Sequence, residues 1–183
     1  MIPKPKERQG REVKAPAAVV EAQNPSKQWA GKRVVISGIR DLADSSVSDV
    51  EEVIRSLLKA DPAVVIVGGA RGVDTVALRT AAAIAPGKIL VVVPGRVRDQ
   101  PAQARGVIER SGAHGIAEMN LDPRHPGSYH ARNRRMLSEA DVLLAFTDGR
   151  KTGGTGSTIQ EALKRGIPVE IHKVHRARKA NAR

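Results

Sequence analysis

Short apolar runs alternate along this chain with stretches that have a helical period, and this alternation constrains the fold more than any other feature. The runs are rich in Val, Ile and Leu, and four of them show no polar alternation, which is typical of strands buried on both faces of a parallel sheet. These four runs are 33–37, 63–67, 88–93 and 141–146, and two weaker strands are predicted at 115–119 and 168–171.

The segments between these strands predict helices. After Ser46, a potential N-cap, the apolar residues of 47–58 form one stripe at the 3.6-residue period. Further helices are predicted at 73–85, 101–112, 128–139 and 157–165. This succession requires right-handed crossovers and predicts an α/β fold, a three-layer Rossmann-like, doubly wound and mainly parallel sheet. Because ligands of such sheets bind beyond the C-terminal ends of the strands, the loops that follow strands are the informative ones.

The net charge of +12 lies mainly at the two ends of the 183-residue chain. Residues 1–33 carry eight Lys or Arg against three acids and residues 172–183 carry five against none, whereas 34–171 carry 18 against 16. We therefore predict a basic, disordered N-terminal tail over 1–32, one Rossmann-like domain over 33–171 and a basic C-terminal tail over 172–183. Such tails add solubility and weak attraction to polyanions, or they form a dedicated nucleic-acid arm.

Composition excludes several classes of protein. There is no cysteine, no apolar run near the roughly 18 residues of a membrane-spanning helix, and no apolar core of a signal peptide at the start, so we expect a soluble cytoplasmic protein. The only aromatic residues are Trp29, Tyr129 and Phe146, which predicts an aliphatic core and excludes a row of aromatic side chains for base stacking.

The loop after the second strand has the character of an anion site. It runs Gly68-Gly69-Ala70-Arg71-Gly72-Val73-Asp74 straight into a helix, whose N-terminus offers free N–H groups to a phosphate or carboxylate. Arg71 can add a bidentate contact, and Asp74 is placed to touch a ligand. The alternative is a tight strand-to-helix turn with Asp74 as the helix cap.

A second glycine-rich loop follows the strand that ends at Phe146. It contains Gly153, Gly154, Thr155, Gly156, Ser157 and Thr158, again opens a helix, and matches neither the Walker P-loop nor the dinucleotide fingerprint. Two turns of this type on adjacent strand ends favour a nucleotide-like ligand over two coincidental tight turns.

Arginines are predicted at the same rim. In the segment Tyr129–Met136, Arg132 and Arg135 share a helix face while Arg134 points away, so at most two of the three reach one site, and a solvated basic face is the alternative. The first strand ends in Ser37-Gly38-Ile39-Arg40, which adds a further arginine. The predicted pocket thus has basic side chains and backbone amides but few acids.

These residues carry a family resemblance. The segments Gly68–Asp74, Arg132-Asn133-Arg134 and Gly154–Ile159 followed by Ala162 resemble the Rossmann-type domain of the DNA-processing protein A (DprA/Smf) family. More broadly they resemble the SMF/DprA–LOG (SLOG) superfamily, which includes the LOG phosphoribohydrolases. The resemblance covers about 33–171; the first motif is fairly specific, and the last is typical of the superfamily as a whole.

The two branches imply different functions. A DprA-like protein binds single-stranded DNA through a basic pocket without catalysis and helps to load a recombinase. A LOG-like enzyme cleaves the N-glycosidic bond of nucleoside 5′-monophosphates with an arginine and a glutamate. The LOG motif Gly-Gly-x-Gly-Thr-x-x-Glu aligns with Gly153, Gly154 and Gly156 and puts Gln160 at the glutamate position. Glu161 comes one residue late, an offset of about 100° on a helix. Arg132 matches the arginine of the LOG helix. Asn133 or Arg134 would then orient a phosphate or ribose.

Three hypotheses therefore stand. The first is a DprA-like nucleotide or single-stranded DNA binding protein, with a recombinase as possible partner and a possible homodimer. The second is a LOG-like hydrolase with Glu161 and Arg132 as catalytic residues, and the third is a scaffold that binds a polyanionic assembly through its tails. No cofactor is predicted. No metal site is predicted either, because His125 and His130 have neither cysteine nor a carboxylate pair beside them and are best interpreted as turn or surface residues.

Overall fold

The computed structural model describes residues 29–177. Within this part of the chain there are six strands, β1 Arg33–Gly38, β2 Val64–Val67, β3 Ile89–Val93, β4 Gly115–Glu118, β5 Val142–Thr147 and β6 Val169–Lys173. They form one parallel sheet in the order β4-β3-β2-β1-β5-β6. The predicted Rossmann-like parallel sheet is confirmed. Since Val35 pairs with Ile66 of β2 on one side and with Leu143 of β5 on the other, the strand order reverses at β1 and opens a crevice between the ends of β1 and β5.

Five α-helices of the described residues cover the two faces of the sheet. They are α1 Val47–Lys59, α2 Val73–Ile84, α3 Ala102–Arg110, α4 Pro126–Leu137 and α5 Gly154–Lys164. One apolar cluster joins the sheet to α1, α2 and α3, and a second joins it to α4 and α5. The result is the three-layer arrangement expected of right-handed crossovers.

The core is aliphatic, as the composition predicts. Val34, Val35 and Ile36 of the central strand are completely buried, and burial of each such side chain stabilises the fold by about 1.5–3 kcal/mol. Trp29 and Phe146 are the two large aromatic side chains in this core. No helix in the part of the chain that the structure describes is long and apolar enough to cross a membrane.

Two helices begin earlier than predicted. Helix α4 begins at Pro126 instead of 128, because proline suits the first helical position and the His125 side chain accepts a hydrogen bond from the Gly127 N–H at 3.1 Å. Helix α5 begins at Gly154 instead of 157, directly after Gly153, whose φ of +91° is a conformation that favours glycine. The glycine-rich run is therefore half turn and half helix.

The predicted domain boundaries need correction at both ends. Strand β6 continues to Lys173, and the N–H of Ala177 donates to the carbonyl of Asp41 at 2.9 Å, so 172–177 belong to the fold and not to a tail. At the other end Trp29 is 1% exposed and its carbonyl accepts from the Lys32 N–H at 3.0 Å, so 29–32 also belong to the fold. The remaining parts of the predicted tails, 1–28 and 178–183, lie outside the described residues.

Candidate functional site

A pocket of about 680 Å³ occupies the crevice at the carboxyl ends of β1 and β5. The turn between β2 and α2, helix α4 and the first turn of α5 form its walls. Of the residues expected at a ligand site, most line it: Ser37, Gly38, Arg40, Ala70, Arg71, Asp74, Arg132, Asn133, Gly153, Gly154, Thr155, Gly156, Ser157 and Thr158. The residue motifs that lie far apart in sequence thus converge at the strand-order reversal.

A buried ion pair forms the floor of this pocket. The Arg132 Nη1 of α4 lies 3.4 Å from the Asp74 Oδ2 of α2, and only 6% and 7% of the two side chains are exposed. The same Oδ2 accepts a hydrogen bond from the Ala70 N–H at 3.1 Å, whereas the Nε of Arg132 has no hydrogen-bond partner among the described residues. The buried guanidinium of Arg132 thus lines the pocket with one donor, Nε, that no described residue satisfies.

Burial and pairing act in opposite directions on this carboxylate. Burial raises the pKa of Asp74 above its ordinary value, while the Arg132 guanidinium and the Ala70 N–H act to lower it. Burial is the larger effect. Asp74 consequently depends on Arg132 to remain charged inside the protein.

Three glycines expected to bind the ligand serve the backbone instead. Gly68, Gly69 and Gly72 do not line the pocket. A Cβ on Gly68 would lie 1.1 Å from Arg132 Nη1, and one on Gly72, where φ is +76°, would lie 2.4 Å from the carbonyl oxygen of Ile39. These glycines permit the arginine to reach Asp74 and the β2–α2 turn to pass close to β1.

A chain of ion pairs runs along the rim. Asp41 accepts from Arg71 at 2.7 Å and from Arg176 at 2.9 Å, and Asp148 accepts from the same Arg176 at 2.9 Å and from Arg150 at 3.3 Å. The Arg176 side chain thus joins the segment after β6 to the loop after β1, which holds Asp41, and to the loop after β5, which holds Asp148. Arg176 together with Arg150 also lowers the pKa of Asp148, so this carboxylate stays ionised to lower pH than usual.

The first turn of α5 contributes backbone groups to the wall. Gly154, Thr155 and Gly156 line the pocket, and the N–H groups at the start of a helix have no partner within it. A Cβ on Gly156 would lie 2.3 Å from the Lys151 carbonyl oxygen, so the close turn before the helix requires glycine. The Nδ2 of Asn133 donates to the Thr158 Oγ1 at 2.7 Å, which fixes α4 against α5 beside this turn.

The only tyrosine also lies at the pocket. The Arg40 guanidinium sits 4.3 Å from the centroid of the Tyr129 ring, a cation–π distance. Tyr129 is not among the predicted site residues, although it is one of three aromatic residues and begins the arginine-rich segment. The sequence-based prediction likewise omits Asp41, Arg124, Asp148, Arg150 and Arg176, which also line the pocket; their positions soon after strands were the available signal.

Two other predicted site residues lie elsewhere. Arg134 is exposed and, with Glu161, borders a separate cavity of about 130 Å³ between α4 and α5. The Glu161 carboxylate is 2.7 Å from Nη2 of Arg165, the residue directly after α5, and does not line the main pocket. Arg135, predicted to share a face with Arg132, instead pairs with Glu139 at 2.7 Å on the surface. Arg132 is the one arginine of this helix that enters the site.

Metal-binding groups are not gathered in the described part of the chain. Residues 29–177 hold no group of three or more His, Asp or Glu side chains with a suitable arrangement. His130 lines the pocket but is exposed, and His125 caps α4.

Comparison with known proteins agrees with this geometry. The family model for DNA recombination-mediator protein A matches residues 8–182. A solved structure of DNA processing protein A from Helicobacter pylori, described for its single-stranded DNA binding mode, superposes with a TM-score of 0.64 at 25% sequence identity and covers 88% of this chain and 72% of that chain. No curated protein gives a match. The chain therefore belongs to the DNA recombination-mediator protein A family.

Proposed function

We propose that this protein binds single-stranded DNA, with phosphates held in the pocket at the β1–β5 crevice. The observation that carries the proposal is the convergence of five exposed or half-buried arginines and a helix N-terminus on one cavity at the strand-order reversal. Membership of the DNA recombination-mediator protein A family and the single-stranded DNA binding of the Helicobacter pylori relative support it.

The charges of the pocket suit a polyanion. The carboxylates that line it are Asp41, Asp74 and Asp148, and each is within ion-pair distance of at least one arginine. Arg40 contacts an aromatic ring and forms no ion pair within the described residues, so its charge is available to a phosphate. Amides at the start of α5 add neutral donors that suit an anion.

A base has one aromatic surface available. Tyr129 is partly exposed at the pocket, and a flat ring of this kind stacks on any base with little sequence preference. Arg40 already lies over this ring, so a base would either stack on the guanidinium or displace it. Phosphate contacts are therefore expected to provide most of the affinity, and binding should weaken steeply with salt.

The hydrolase alternative lacks its acid–base group in this geometry. Glu161 is paired with Arg165 outside the pocket, and Gln160, at the position where LOG enzymes have glutamate, is exposed and neutral. We therefore favour binding over cleavage. The recombinase partner, the homodimer and the cytoplasmic location stay predictions.

The test uses two arginines of matched character. Arg71 and Arg79 have 59% and 58% of their side chains exposed and each pairs with one carboxylate, Asp41 and Glu51 respectively, but only Arg71 lines the pocket. Anisotropy of a labelled oligo-dT should report weaker binding for Arg71→Ala and unchanged binding for Arg79→Ala. Equal affinity of the two variants, or stabilisation by a mononucleotide followed by base release, would contradict the proposal.

A further inference from the structure

At least one arginine follows every strand of the sheet within six residues of the strand end. The first arginines after the six strands are, in chain order, Arg40, Arg71, Arg96, Arg124, Arg150 and Arg176. We call these six residues the arginine row. Because all strands are parallel, their carboxyl ends lie at one edge, and the row extends along the whole of that edge.

The opposite edge has no such bias. The loops at the carboxyl edge, 39–46, 68–72, 94–101, 119–125, 148–153 and 174–177, together hold eight Lys or Arg and five Asp or Glu. The loops at the amino edge, 29–32, 60–63, 85–88, 111–114, 138–141 and 165–168, hold three of each. The excess positive charge of the described loops is thus confined to the edge that carries the pocket.

Five members of the arginine row line the pocket, and Arg96 does not. Arg96 follows β3, which is two strands away from β1, a separation of roughly 10 Å at the usual strand spacing. Its neighbour Arg98 has 72% of its side chain exposed. A ligand confined to the pocket does not touch Arg96 or Arg98, whereas a polymer that leaves the pocket can extend to them.

The loop that carries Arg96 is fixed to the loop that leads into the pocket. The N–H of Leu121 donates to the Pro94 carbonyl at 2.8 Å, and the N–H of Val97 donates to Glu118 Oε1 at 2.7 Å. The Nε of Arg96 also donates to Asn120 Oδ1, at 3.4 Å. The 94–101 and 119–125 loops therefore form one surface, which continues through Arg124 to the pocket.

The acids of these two loops are used by the backbone. Asp99 Oδ2 accepts from the Arg96 N–H at 2.9 Å, and Asp122 Oδ1 accepts from the Arg124 N–H at 2.9 Å. These bonds close the turns and partly satisfy the carboxylates. The Nε of Arg124 also donates to Asp122 Oδ1 at 3.2 Å, and the Nε of Arg98 lies 4.0 Å from Asp99 Oδ1. Because 91% of the Arg124 side chain and 72% of the Arg98 side chain are exposed, a phosphate can still reach both.

We infer that a single strand of nucleic acid leaves the pocket past Arg124 and continues along the sheet edge to Arg96 and Arg98, so that the binding surface is the carboxyl edge from β6 to β3 rather than the pocket alone. This inference rests on the proposed function and extends it. It assigns a binding role to two exposed arginines outside the cavity, and it requires affinity to grow with strand length.

The test compares two double variants with the same change of charge. Arg96→Ala/Arg98→Ala removes two charges from the proposed path, and Arg55→Ala/Lys59→Ala removes two from the exposed end of α1, toward the amino edge. Full-length proteins are titrated with oligo-dT of about three and about nine nucleotides, one shorter and one longer than the roughly four nucleotides of the smallest single-strand binding sites. The melting temperature of each variant checks that it is folded.

We expect Arg96→Ala/Arg98→Ala to bind the longer strand about tenfold more weakly and the shorter one as the wild type does, with the slope of log K against log salt reduced by about 1.4. If both double variants bind the longer strand equally, the path ends at the pocket and the inference is overturned, while the proposed function stands. If the wild type binds neither strand, the proposed function fails and the inference fails with it.

Discussion

Asp74 and Arg132 meet beneath the pocket at 3.4 Å, 58 residues apart in the chain, and join α2 to α4 across the end of the sheet. Both side chains are almost fully buried, so each partly offsets the cost of burying the other's charge. Both residues also line the pocket. One contact therefore serves both the fold and the site.

Replacing Arg132 with methionine should destabilise the protein by about 3 kcal/mol, because it leaves the Asp74 carboxylate buried without a counter-charge. The double variant Asp74→Asn/Arg132→Met should recover much of this loss, since it removes both charges. Guanidinium denaturation measures the free energy of unfolding of each variant. Equal stability of the single and double variants would contradict an ion pair that matters for folding.

The stability of Arg132→Met should also depend on pH in a distinctive way. Burial raises the pKa of Asp74 in the folded state, so the charged carboxylate opposes folding and stability falls as pH rises from the unfolded value of 3.8 through the folded pKa. In Arg132→Met the folded pKa rises further, because the stabilising guanidinium is gone. The defect of Arg132→Met relative to wild type should therefore shrink as the pH is lowered toward 4 and grow toward neutrality, as thermal melts at several pH values would detect.

Gly68→Ala should reproduce much of the Arg132 defect without removing a charge. A Cβ at this position would occupy the place of Arg132 Nη1, so the guanidinium must leave Asp74. We expect a loss of roughly 2–3 kcal/mol together with weaker DNA binding. Gly87→Ala is the matched control, because a Cβ there meets nothing within 4 Å. Similar stability of the two alanine variants would mean that Arg132 has an alternative position.

The sequence predicts the sheet well because its signal is local. Apolar runs such as 33–37 and 141–146 have no amphipathic alternative, and the structure has strands at both. Parallel topology places Arg71, the start of α4 and the α5 turn at one edge of the sheet, but their convergence on one cavity depends on the strand order. The two glycine-rich loops do not follow adjacent strands, as the sequence suggested, because β1 lies between β2 and β5.

What the sequence does not predict depends on tertiary contacts. Arg176 lies in a basic, tail-like segment, and only its pairing with Asp41 and Asp148 makes it part of the rim. Glu161 pairs with Arg165, the residue directly after α5, and this i,i+4 pattern is local and present in the sequence, but the position of Glu161 outside the main pocket is not. The place of Arg176 at the rim is likewise not visible in composition or period.

The Arg176 contact should be measurable through the titration of Asp148. Hydrogen bonds from Arg176 lower the folded pKa of Asp148 below 3.8, so this carboxylate contributes stability above that pH and loses it as pH falls through the folded pKa. Carboxyl NMR titration should give a low pKa in the wild type and a value nearer 3.8 in Arg176→Gln. An unchanged titration would mean that the Arg176–Asp148 contact is not maintained in solution.

The carboxylates at the rim also compete with phosphate for the same arginines. Asp148 engages both Arg150 and Arg176, and a DNA phosphate must share or displace those contacts. Asp148→Asn keeps a carbonyl oxygen that can accept from Arg176 Nε, so the segment after β6 stays in place while one negative charge leaves the rim. We expect this variant to bind oligo-dT about fivefold more tightly, which corresponds to about 1 kcal/mol. Asp61→Asn is the control, because it removes one negative charge beside Lys88 at the amino edge and asparagine tolerates its φ of +57°. Tighter binding by Asp148→Asn alone would identify the rim as the binding surface, whereas weaker binding would mean that Asp148 is needed to hold Arg176 toward the phosphate.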